Sequence, residues 1–233
     1  MSTHQQLAEL LAHPSVWRGR SHAALETLPT GFAALDAGLP GGGWPRHGLV
    51  EILTPRPGVG ELYLLLPALA ALSRLSPARW CTWVSPPHEP FAPALEAHGA
   101  ALDRMLIVHC QGLTPHDGKF NAVSFLKEGD GVHMGLWTME QVLRSGACGI
   151  ALAWLPRASP RAIRRLQLAA EQGRALGVLY RSQQFAQLAS PAMLRVLLEP
   201  MKQAGRHGAR VRLLKSRGGS REPIDITWTA AAA

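Results

Sequence analysis

The residues best placed to do chemistry stand at Pro57-Gly58-Val59-Gly60-Glu61-Leu62, just after the apolar run Ile52-Leu53. Their layout is that of a phosphate-cradling loop. In such a loop a strand ends, glycines bare backbone N–H groups, a Lys reaches the outer phosphates, and a Ser or Thr holds magnesium at the start of a helix. Here Pro55 stands where the first glycine belongs. Gly58 and Gly60 are present, but Glu61 takes the place of the Lys and Leu62 that of the hydroxyl. A carboxylate about 4 Å from a phosphate oxygen costs on the order of 1 kcal/mol in water and about 4 kcal/mol at a protein-surface dielectric. Leu62 offers magnesium no oxygen. The expectation is a nucleotide-site scaffold with no ATP turnover and no cofactor. In the plainer reading Glu61 is a first-turn carboxylate that complements the dipole of a helix over residues 61–75.

Other catalytic sets are missing. The ten histidines are scattered, and His88-Glu89 is not followed by a second His at metal-ligand spacing, so no metal site is expected. No G-x-S-x-G elbow occurs, and Ser124-Phe125-Leu126-Lys127 lacks the partners of a penicillin-binding site. Cys81, Cys110 and Cys148 are far apart, which fits buried free thiols in a reducing cytosol. Two basic groups carry more promise. Arg157, Arg161, Arg164 and Arg165 gather at a helix start, where they oppose the macrodipole. Arg206, Arg210, Arg212, Lys215, Arg217 and Arg221 fall on two late strands and their turn. Either group suits DNA phosphates or an acidic partner, and a solvated face is the bland alternative. Little aromatic interleaving lies near either, so base stacking is not expected. Trp17 is a docking candidate, between copies or toward a partner, unless it packs on its own core.

Size and composition say what must hold these residues. The chain has 233 residues, 47% apolar and 17% charged, with a net charge of +8. That is enough for one domain with a substantial core, and the basic balance favours acidic partners. No apolar run spans a bilayer and no signal peptide opens the chain, so a cytoplasmic protein is expected. Short apolar runs at 49–53, 80–84, 105–109, 149–155 and 176–181 read as buried strands. Helical stretches alternate with them at 61–75, 91–99, 136–145 and 159–174, after a short helix from residue 30 with Thr30 or Gly31 near its cap. Residues 191–199 read as helix or extended arm, and 210–215 with 224–228 as a closing antiparallel hairpin. Such alternation gives a mainly parallel sheet with helices on both faces. Residues 1–29 read as an arm, 30–228 as the core, about 111–135 as an insertion, and 229–233 as a frayed tail.

The order of these signatures resembles the RecA-like ATPases. It runs from Thr30-Gly31 and Leu35-Asp36 through Leu39-Pro40-Gly41-Gly42-Gly43 and Gly48-Leu49-Val50-Glu51-Ile52 to Pro57-Gly58-Val59-Gly60. Within that group the chain resembles the ImuA branch, which is related to SulA. The resemblance rests on Val16-Trp17-Arg18-Gly19, Gly43-Trp44-Pro45-Arg46, Gly60-Glu61-Leu62, Leu143-Arg144-Ser145-Gly146, Trp154-Leu155-Pro156 and Glu171 with Gly173. It implies a RecA-like fold without hydrolysis, and Trp154 falls where a magnesium-binding Asp belongs. It implies a non-enzymatic role in SOS-induced translesion synthesis. The partners would be ImuB, a Y-family polymerase relative, and an error-prone replicative-type polymerase, with DNA and RecA as further candidates. The alternative is a SulA-like division inhibitor that binds FtsZ. An active ATPase ranks last.

Overall fold

The structure is a computed structural model that describes residues 26–75, 77–110, 130–201, 207–216, 218–219 and 222–228. The first short strand, β1 (Thr27–Leu28), pairs antiparallel with β2 (Trp44–Pro45) around the helix α1 (Ala33–Gly38). The Thr30/Gly31 cap moves by one or two residues. The N-cap is Phe32, whose N–H donates to Thr30 Oγ1 at 3.1 Å, while the Thr30 N–H donates to Asp36 Oδ1 at 2.8 Å. This side-chain exchange closes the turn in place of a standard cap.

The central strand β3 (Gly48–Thr54) is buried along its whole length. After a turn-rich stretch comes α2 (Leu66–Ser73), then β4 (Trp80–Val84), α3 (Ala92–Ala97) and β5 (Met105–Val108). The helix expected over 61–75 is therefore shorter. Its first turn gives way to hydrogen-bonded turns at 61–65, and Pro67 sits inside the first turn of α2, where its missing N–H costs nothing. α4 (Asp130–Arg144) begins six residues before the expected helix and takes in the end of the expected insertion. The rest of that insertion lies outside the described residues, as do nearly all of the arm and the tail. β6 (Cys148–Trp154), α5 (Pro160–Gln172) and β7 (Leu176–Ser182) follow as expected within a residue or two. Ser159 caps α5 by accepting the Ala162 N–H at 3.2 Å. Residues 191–199 resolve as extended, in β8 (Leu194–Pro200). β9 (His207–Lys215) and β10 (Ile224–Trp228) form the expected hairpin.

One sheet joins eight strands in the order β10-β9-β8-β3-β7-β6-β4-β5. The six from β8 to β5 run parallel, and β9 and β10 add an antiparallel edge. Period two splits the core between two faces. Val50, Ile52, Val178, Tyr180 and Val196 pack with α1, α2 and α3 on one side. Leu49, Ala151, Ala153 and Leu179 pack with α4 and α5 on the other. The expected α/β architecture is present, with the loop after β3 in the middle of the sheet.

Candidate functional site

The loop after β3 turns on two glycines and closes on its own carboxylate. Gly58 and Gly60 have φ of 79° and 97°, the left-handed region that glycine enters without penalty. Such a turn gathers N–H groups into an anion-binding nest. The Gly58 N–H donates to Glu61 Oε1 and the Val59 N–H to Glu61 Oε2, both at 2.9 Å. The Glu61 side chain is buried, so the protein's own carboxylate fills the nest. This corrects the first-turn reading: α2 starts at Leu66, and Glu61 holds the loop, not a helix dipole. Leu62 is half-buried against the core. A Cβ on Gly58 would meet open space, whereas one on Gly60 would lie 2.2 Å from the Trp228 ring of β10.

Beside the loop a crevice of about 430 Å³ opens at the carboxyl ends of β3, β4, β6 and β7. This is where parallel α/β sheets hold ligands. Trp154 lies in it, register-paired with Tyr180 across β6 and β7. Its ring stacks on Tyr180 at 4.5 Å and on Trp83 at 5.7 Å between centroids. The row of rings fills the position where the resemblance implies a metal-binding carboxylate. Four wall residues carry a buried polar atom with no partner among the described residues: Ser85 Oγ, Trp154 Nε1, Tyr180 OH and Arg181 Nε. Burial pushes the Tyr180 hydroxyl well above its ordinary value, and the Glu61 charge adds to this. Ser85 has φ of 49°, strain of the sort that collects at sites. Glu89 is exposed and pairs with His109 at 3.0 Å. Among the described residues no three His, Cys, Asp or Glu side chains gather to hold a metal.

Under the crevice lies an arrangement that sequence reading missed. Glu51 of β3 is wholly buried, with Oε1 taking Arg181 Nη1 at 2.7 Å and Oε2 taking Arg195 Nε at 2.8 Å. Arg195 also donates to the carbonyls of Phe185 and Leu188, and Arg181 to that of Ala158. Charges inside otherwise apolar strands were the available signal. A buried ion needs a partner, so Glu51, Arg181 and Arg195 call for one another.

The basic candidates divide. Arg157, Arg161, Arg164 and Arg165 are exposed, the last three on α5. Arg165 and Arg144 both pair with Glu140 of α4, Arg144 at 2.9 Å. On the closing strands Arg210 grips Asp225 with two bonds of 2.7 and 2.8 Å, and Arg212 lies 3.5 Å from Glu199. Lys215 donates to the carbonyls of Ser190 and Ala192. Much of the second group is thus engaged within the fold. Trp17, Arg206, Arg217 and Arg221 lie outside the described residues. A third group, at the amino ends of the strands, was not foreseen. Arg79 donates to the Arg174 carbonyl at 2.7 Å, and Arg174 lies 3.3 Å from Glu26. Burial, then the charge of Arg79, lowers the nearby Arg46.

Fold and site together define a class: a mostly parallel α/β protein whose strand-end crevice has its anion nest closed by an internal carboxylate. No family model matches the chain. It is 30% identical over 141 residues to the cell division inhibitor SulA of Edwardsiella piscicida, across 60% of this chain and 71% of that protein. To SulA of Photorhabdus laumondii subsp. laumondii it is 31% identical over 129 residues, 55% of this chain and 61% of the relative. The chain belongs to the SulA family. The solved structure of SulA from Pseudomonas aeruginosa overlaps 57% of this chain and 97% of its own at 25% identity, with a TM-score of 0.41. That superposition is too loose to bear on the fold. No helix among the described residues is long and apolar enough to cross a membrane.

Proposed function

We propose that this protein is a non-catalytic regulator in the bacterial response to DNA damage, acting in the cytoplasm by binding other proteins. The leading activity is inhibition of cell division. Two SulA relatives named for that activity support it, and the resemblance implies FtsZ as the partner. The observation that carries the non-catalytic half is the seat of Glu61. Its carboxylate satisfies the two N–H groups that a phosphate would use. A triphosphate would have to evict it from a buried position and then find neither cation nor hydroxyl. We read the fold as a RecA-like scaffold that keeps the loop geometry for shape. Expression in a host cell is expected to give filaments, and the purified protein to slow FtsZ polymerisation at stoichiometric ratio. Magnesium and ATP are expected to leave the melting temperature unchanged. Normal division with unaffected polymerisation would end this reading, and ATP turnover lost in Gly60→Ala would end its non-catalytic half.

A second reading, an accessory factor of translesion synthesis, is favoured by the glycine-rich segment before β3. That segment is folded: Trp44 is wholly buried and its Nε1 donates to the Leu64 carbonyl at 3.0 Å, tying β2 to the turn before α2. These residues belong to the ImuA-like pattern. Parallel pull-downs with an ImuB-type protein and with FtsZ separate the two readings, and capture of ImuB alone would favour the second.

A further inference from the structure

We propose that the groove between α4 and α5 is a docking site for an acidic amphipathic segment of a partner protein. It goes beyond the proposed function and does not depend on division inhibition. Glu140 sits in the floor of the groove, 7% exposed, and holds Arg144 from its own helix and Arg165 from the other. On α4, His133, Trp137 and Arg144 follow at spacings of three to four residues beside Glu140, and all three are exposed. On α5, Arg161, Arg165 and Leu168 do the same. Helical neighbours three and four apart share a face, so these six residues form two stripes, one on each helix, that meet at the Glu140–Arg165 pair.

Two of the six are large apolar groups left in water. Trp137 is 56% exposed and Leu168 47%. Exposed apolar residues taken singly mean little, but a tryptophan set among arginines is the composition of a protein-binding centre. Only one carboxylate, Glu140, answers Arg144, Arg161, Arg164 and Arg165 among the described residues, so the rim carries uncompensated positive charge. Arg161 and Arg164 have no acidic partner among the described residues. Complementarity therefore asks for carboxylates around an apolar stripe. Nucleic acid meets the charge but leaves Leu168 without use, because phosphate contacts need no aliphatic side chain. The pairing of Glu140 with Arg144 and Arg165 also fixes the two guanidinium groups before any partner arrives, which lowers the ordering cost of binding.

The test is fluorescence anisotropy on the full chain with a labelled helical peptide of about three heptads, leucine on one face and glutamate on the other. Wild type is expected to bind it with a salt-sensitive affinity. Trp137→Ala is expected to weaken binding about tenfold or more, and Arg161→Glu with Arg164→Glu to abolish it. These side chains are exposed, so the variants should keep the wild-type melting curve, and any that do not are replaced by Leu168→Ala. Absence of peptide binding, or peptide binding unchanged in all of these variants, overturns the proposal. So does tighter, Trp137-dependent binding of a single-stranded oligothymidylate, which would make the groove a nucleic-acid site.

Discussion

Glu61 and Glu51 are two buried carboxylates ten residues apart that do different work. Glu61 accepts two loop N–H groups. Its replacement by Ala leaves both without this acceptor, and the Val59 N–H is buried, at a cost of about 1–3 kcal/mol. The Glu61→Ala protein should lose that much in a urea titration. With its nest open, it should also gain more stability from added phosphate than wild type does. Glu61→Lys should not confer ATP turnover, since Leu62 and Trp154 supply no ligand for magnesium. Glu51 is bound more tightly into its surroundings. Removing it strands Arg181 and Arg195, both nearly inaccessible, beneath the crevice. Breaking a buried ion pair by taking one partner costs about 3–5 kcal/mol, so Glu51→Ala should unfold at markedly lower denaturant than Glu61→Ala. A Glu51→Ala protein as stable as wild type would mean that the guanidinium groups reach water by another route.

Among the strands, β4 and β6 show how burial sets chemistry. Burial pushes the Cys81 thiol from an ordinary 9.0 up to about 12 and the Cys148 thiol up to about 11. The folded protein thus keeps these protons after the unfolded chain has begun to release them. Stability from the neutral thiols is complete below about pH 9 and is lost as the pH climbs toward 11 and 12. Denaturation midpoints measured across that window should fall for wild type. They should fall less for a variant with Ala at both positions. The same strands show what was legible in the sequence. Runs such as Trp80–Val84 are short, apolar and bounded by turns, and both that strand and the closing strand Ile224–Trp228 fall where expected. The start of α2 was not legible, because the stretch from Leu62 to Leu72 holds no polar residue while the chain changes from turns to helix. Loop residues Gly58, Gly60 and Glu61 were legible as a motif, but the direction of the Glu61 side chain was not. Its alternative, an outward carboxylate at a helix start, has the same spelling. The buried charge set was missed for a different reason: Glu51, Arg181 and Arg195 lie on three separate strands, and only their pairing in the sheet brings them together.

At the scale of the whole molecule, one edge of the sheet reaches the loop at its centre. β10 is the outermost strand, three places from β3, whose end carries the loop. Yet its Trp228 reaches back to cover Gly60 and stacks on Tyr63 at 5.1 Å and 11°. The late hairpin therefore clamps the nest that Glu61 fills, and the loop is held from the edge as well as from beneath. Gly60→Ala must displace an indole as well as adopt a positive φ, so it should cost more than Gly58→Ala, which pays only the backbone strain of about 1–2 kcal/mol. Trp228→Ala tests the clamp directly. It should cost about 3–5 kcal/mol if the ring behaves as a core residue. Beyond that loss, the Val59 amide should exchange with deuterium faster than amides in β7, because the N–H that donates to Glu61 is released by local opening while the central strand stays closed. If instead the Val59 amide slowed or sped only in step with β7, the hairpin would be an independent edge with no hold on the loop. Because Trp228 is the clamp, a chain lacking β10 should lose the ordered loop and the adjoining crevice together.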